Sequence, residues 1–169
     1  ISKGDMSMSA NLATHSPAMD IQFAYNVERM LYYMCGQDPV STSSIMKQVD
    51  LQFSQQANSH GAQLDPLLVC RMQELFASCS VSDDETLSTI KEFQRESNFS
   101  LCPHSAIGVH AGKHIFTSIT SAAPTFCVLT ANPAKFEKTF EAATGTKPAM
   151  SEAVRNMKDL PQRYKTLCK

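Results

Sequence analysis

Phe126-Cys127-Val128-Leu129-Thr130-Ala131-Asn132-Pro133-Ala134-Lys135-Phe136 brings a strand, a turn and a helix start together within one short stretch. Residues 126–129 form an unbroken apolar run with an aromatic and a β-branched side chain, which predicts a strand covered on both faces. Asn132 and Pro133 then suit the cap and first position of a helix, because Asn accepts from a free amide and Pro has no N–H to leave unpaired. Phe136 and Phe140 follow at helical spacing. Thr130 is thereby placed at the carboxyl end of a strand and beside the positive end of a helix, where open α/β sheets bind ligands. The competing reading is local: a Thr hydroxyl at a turn can simply satisfy nearby backbone donors.

The other elements read as helices. Val27, Met30, Leu31 and Met34 make one stripe that stops at Gly36. A second helix over 41–56 carries Ile45, Val49 and Phe53 and breaks at 58–61, while Asp65-Pro66 caps a third with Leu68, Met72, Leu75 and Phe76 inward. Ser82-Asp83-Asp84-Glu85 has the capping-box pattern, so its carboxylates read as partners of a helix dipole rather than an acid/base pair. Leu87, Ile90 and Phe93 give that fourth helix its core face, and Cys102-Pro103 opens a fifth that runs to about residue 117. Gly108 and Gly112 on it predict close approach of a neighbouring element. His110 and His114 share a face but lack the further ligands that a metal site needs, so no metal is assigned. Residues 1–14 read as a connecting segment with a turn at Lys3-Gly4-Asp5, residues 16–23 as an irregular loop, and residues 151–160 as a short last helix.

Composition bounds the function. The 169 residues suffice for one domain with a real core. Fifteen Lys and Arg against sixteen Asp and Glu, scattered along the chain, leave no basic stripe for a nucleic acid. No apolar run reaches the length of a membrane span, and residues 1–14 contain no signal-peptide hydrophobic region. Six cysteines show no C-x-x-C pair or zinc spacing, and a chain this apolar does not need disulfides, which points to a reducing cytoplasm or organelle interior. An upstream targeting segment would not be visible in this sequence.

Three ordered blocks resemble one family. Residues 128–136 resemble the signature of threonine synthases in which a strand-end Thr precedes Ala-His-Pro-Ala-Lys-Phe. Ser16-Pro17-Ala18-Met19-Asp20-Ile21, with Asn26, Glu28 and Arg29, resembles the family's Ser-Pro-Ala-Met-Asp-Ile segment and its Asn-x-Glu-Arg continuation. Cys102-Pro103-His104-Ser105-Ala106-Ile107-Gly108-Val109 resembles its Pro-His-Thr/Ser-Ala-Val-Gly block. The resemblance implies the carboxy-terminal, mostly helical portion of an α/β enzyme of the tryptophan-synthase-β-like class, fold type II, with residues 1–169 a single incomplete domain. Such enzymes use pyridoxal 5'-phosphate to convert O-phosphohomoserine and water to threonine and phosphate. Their Schiff-base lysine motif and glycine-rich phosphate loop lie upstream of the first block, and neither stands in this sequence. With Ile1 rather than Met at its start, the chain is expected to be a fragment, with the upstream part of the same enzyme as its partner and oligomerisation left open.

The family match implies roles for particular residues. Thr130 is the expected partner of the cofactor's ring nitrogen, a neutral hydroxyl that does not require a protonated ring as a carboxylate would. Asp20, Asn26, Arg29 and His104 are expected to form the active-site wall, with Arg29 able to hold a phosphate or carboxylate through two parallel bonds. Without the family, Asn26 and Glu28 read as a helix cap and a first-turn acid. Asn132 departs from the family's usual His, keeping the cap but unable to carry a proton near neutral pH. Two rival functions stay open: a phospholyase that releases an oxoacid and ammonia from a related phosphorylated amino acid, and a truncated, non-catalytic interaction protein.

Overall fold

The computed structural model describes residues 3–7, 10–54, 62–115, 124–161, 163 and 165, without the side chains of Phe53, Ser54, Ile115 and Lys158. By packing, the chain divides into two compact units, Ile1–Ser80 and Val81–Lys169.

In the first unit a short 3-10 turn, Pro17–Met19, precedes α1 (Val27–Met34), α2 (Pro39–Ser54) and α3 (Pro66–Leu75). The predicted stripe on α1 is real. Leu31 and Met34 are buried with Met46, Leu64, Leu68 and Met72, and Val27 and Met30 pack against them half-covered. This core is rich in Met, whose unbranched side chain fills irregular gaps. The chain leaves α1 at Gly36, whose φ of +71° is left-handed backbone that a Cβ would disfavour. Asp38, two residues on, starts α2 earlier than expected by accepting from the amides of Val40 and Ser41. The Asp65 cap holds as read, its carboxylate accepting from Leu67 and Leu68. Leu75 and Phe76 do not turn inward, however. The helix ends at Leu75, and Phe76 is already extended with a φ of −129°, so the helical stripe has no turn left on which to carry them. Lys3-Gly4-Asp5 does more than turn: Gly4 O accepts from Leu64 N, Met6 N donates to Ala62 O, and Asp5 bridges Gln63 antiparallel. The predicted break at 58–61 and the inward face of Phe53 lie outside the described residues.

The second unit is built on α4 (Asp83–Ser97), which packs against α5 (Pro103–His110) and α6 (Glu137–Thr144). The Ser82–Glu85 capping box forms in both directions, and the bonds from Ser82 hold the Glu85 carboxyl below the usual range. Ile90, Leu101, Ala106, Val109 and Phe140 make the core, with Phe93 and Ala143 at its margin. After α5 one π-helical turn, Ala111–Ile115, continues the chain, and the predicted end near residue 117 lies outside the described residues. Pro133–Phe136 is a 3-10 turn leading into α6, and α7 (Glu152–Asn156), capped by Ser151, ends in a further 3-10 turn. Of the two glycines expected to admit a neighbour, Gly112 faces Cys127 Sγ and Thr125 at ordinary contact distance, whereas Gly108 faces open space.

The buried strand expected at 126–129 is not formed. Phe126 is 85% exposed and Val128 80%, and the segment carries no β-ladder. A strand exists through its pairing, and among the described residues no other segment pairs with this one. The isolated chain should therefore self-associate through this unpaired apolar edge. Light scattering after size exclusion should report oligomers or aggregates; a well-behaved monomer with a sharp two-state melt would count against this.

Candidate functional site

In the second unit the candidate residues His104 and Thr130 are both tied to the start of α5. Cys102 caps this helix through its thiol, Sγ accepting from Ser105 N at 3.4 Å and lying 3.0 Å from Ser105 Oγ. Ser105 Oγ in turn accepts the main-chain N–H of Thr130 at 3.1 Å. The Thr130 side chain is exposed, and among the described residues no hydrogen bond engages its hydroxyl. Among the described residues no turn amide donates to that hydroxyl. The turn is closed by Asn132 instead, whose Oδ1 accepts from Ala134 N at 2.9 Å. His104 is half-buried with its ring edge-on to Phe136, centroids 4.7 Å apart. His104, Thr130 and Phe136 are therefore tied to one helix start and one turn.

In the first unit Asp20 is a structural acceptor. Its carboxylate takes the N–H of Thr14 at 2.9 Å and the Thr14 hydroxyl at 2.7 Å, while its carbonyl accepts from Asn11 Nδ2. The block resembling Ser-Pro-Ala-Met-Asp-Ile is thereby pinned as a loop. Asn26 does not cap α1 with its side chain: its backbone is already helical, φ −66° and ψ −11°, a geometry that turns the side chain away from the free amides. Arg29 is exposed and lines a cavity of about 330 Å³ with Glu28, Tyr32, Tyr33, Pro39, Thr42 and Ser43.

His110 and His114 do stack, centroids 4.8 Å apart, but their neighbours are Thr89, 3.0 Å from His110 Nδ1, and Glu85, 3.6 Å from His110 Nε2. The described residues contain no group of three His, Cys, Asp or Glu placed to hold a metal ion. No helix among them is long and apolar enough to cross a membrane. Sequence reasoning gave Ser105 no role of its own, because its partner Thr130 lies 25 residues away and no local pattern marks the pair.

Known proteins define the class. A crystal structure described as PLP-bound threonine synthase from Brucella melitensis superposes with a TM-score of 0.81 at 28% identity, over 97% of this chain and 33% of that one. A threonine synthase from yeast gives 0.77 at 25% identity, over 95% of this chain and 35% of that one. The architecture is therefore the mostly helical carboxy-terminal portion of the tryptophan-synthase-β-like fold. Residues 105–169 match the family model for threonine synthase, C-terminal. Threonine synthase-like 2 of Homo sapiens is 31% identical over 155 residues, 91% of this chain and 31% of that protein, and threonine synthase of Schizosaccharomyces pombe is 31% identical over 132 residues, 74% and 25%. Over most of its length the chain is similar to members of the threonine synthase family. It spans about a third of the length of the relatives it matches.

Proposed function

We propose that this chain is the carboxy-terminal part of a pyridoxal 5'-phosphate enzyme that converts O-phosphohomoserine and water to threonine and phosphate. Both units then belong to one catalytic domain, residues 1–169 being its incomplete end, and the upstream part supplies the Schiff-base lysine and phosphate loop. The observation that carries this reading is the Thr130 hydroxyl, exposed and, among the described residues, unengaged, on a main chain fixed by Ser105. Such a group fits an aromatic ring nitrogen in need of a neutral partner, and its O–H would donate to that nitrogen. When bound, the cofactor supplies an electron sink that allows phosphate to leave the γ carbon and water to add at the β carbon.

The protein's own residues orient and bind. Asp20 fixes the first block's loop through Thr14. Arg29, beside an open cavity, is suited to clamp a phosphate or carboxylate of the phosphorylated amino acid, with Asn26 three residues before it, just ahead of that helix. His104, set by Phe136, contributes a polar ring at the start of α5. Asn132 is committed to its cap and carries no proton near neutral pH, so it does no general-base work.

The phospholyase reading is the alternative, and relatives named threonine synthase-like 2 match alongside those named threonine synthase. Product analysis of the intact protein with O-phosphohomoserine separates the two. Equal amounts of threonine and phosphate are expected; phosphate with an oxoacid and ammonia would replace the synthase reading by the lyase, and no phosphate release at all would favour a non-catalytic interaction protein. The division of labour has its own check. Borohydride reduction of this chain with pyridoxal 5'-phosphate should fix the cofactor stoichiometrically at no single lysine, and labelling at one site would contradict it.

A further inference from the structure

Ser105 is 2% exposed and Cys102 1%, yet Ser105 Oγ accepts from the peptide of exposed Thr130 while Cys102 Sγ lies against Ser105. A serine hydroxyl offers one donor and two lone pairs. Here one lone pair takes the Thr130 N–H, and Cys102 Sγ occupies the hydroxyl on its other side, so the group is used where it is buried. The segment before Thr130 has no ladder to hold it, and its further polar tie to this helix is the weaker approach of Cys127 Sγ to Gly108 O at 3.7 Å. Chain direction at the end of the segment is thus set by a side chain on α5 rather than by a sheet.

We propose that Ser105, braced by Cys102, is a positioning residue for Thr130: its hydroxyl fixes the Thr130 peptide and so aims the Thr130 side chain. The cofactor consequence rests on the reading of Thr130 given above; the anchor itself does not. In this role Ser105 acts through the main chain of another residue. Removing its oxygen leaves the Thr130 N–H without a partner and the Thr130 hydroxyl free to wander over several orientations. Retaining an oxygen at the same β carbon preserves the tie.

The test is residue-resolved amide exchange in the intact protein, comparing Ser105→Ala and Ser105→Thr. In Ser105→Ala the Thr130 amide should exchange about tenfold faster, the size of one lost hydrogen bond, while the Ile90 amide in the α4 core keeps its rate. Ser105→Thr should restore the slow rate at Thr130. An unchanged Thr130 rate in Ser105→Ala would overturn the proposal, and so would an acceleration shared equally by Ile90, since Ser105 would then serve the core as a whole. A second readout is the absorption band of bound pyridoxal 5'-phosphate, which Ser105→Ala should move in the direction of Thr130→Val. If Thr130→Val leaves that band unmoved while Ser105→Ala still speeds the Thr130 amide alone, the anchor stands and the ring-nitrogen reading falls.

Discussion

Phe140→Ala is expected to destabilise the second unit by about 3–5 kcal/mol, the usual cost of deleting a buried aromatic together with the cavity it leaves. Phe140 is 2% exposed and lies on α6 where it meets Ile90, Leu101, Ala106 and Val109 from the facing helices and the connection between them. Ile90, Ala106 and Val109 sit on helices, so the site collapses poorly around a lost ring. A contrasting variant calibrates the effect. Leu75→Ala removes a side chain that is 70% exposed at the end of α3 and should shift stability by no more than about 0.5 kcal/mol. Denaturant dependence of amide exchange at Ile90 in the intact protein reads the first change within its own unit. A loss of less than about 1 kcal/mol for Phe140→Ala would mean that α6 is not packed on α4 and α5 as described.

What the sequence disclosed follows the range over which each feature is determined. The caps at Asp65, Ser82, Cys102 and Asn132 involve partners two or three residues away, and each was legible because helix starts obey local chemistry. Asn26 has the right side chain and lacks the cap, since its own backbone is already helical. Leu75 and Phe76 extend an apolar stripe past the residue at which the helix stops, a boundary that periodicity does not mark. The 126–129 run has strand composition, but pairing is a property of two segments, and composition describes one. In the candidate site the position of Thr130 before its capped turn could be read directly. The tie from Ser105 to Thr130 could not, because it joins segments brought together only by folding.

Thr130 offers the most direct trial of the account. If its hydroxyl donates to the ring nitrogen of pyridoxal 5'-phosphate, Thr130→Val keeps the shape of the side chain and leaves a buried ring nitrogen without its partner. An unmatched bond of this kind costs roughly 1–3 kcal/mol, or about one to two powers of ten in rate where it is felt in the transition state. The backbone should not follow, since the Thr130 N–H and its acceptor Ser105 Oγ are untouched by the change. Thr130→Ser, which retains the hydroxyl, should keep most of the activity. The decisive measurement is turnover of O-phosphohomoserine by the intact Thr130→Val protein, taken with the absorption spectrum of its bound cofactor. The account predicts a fall in turnover by about 10- to 100-fold with a shifted cofactor band; unchanged turnover with an unchanged band would contradict it and leave Thr130 a residue of the turn.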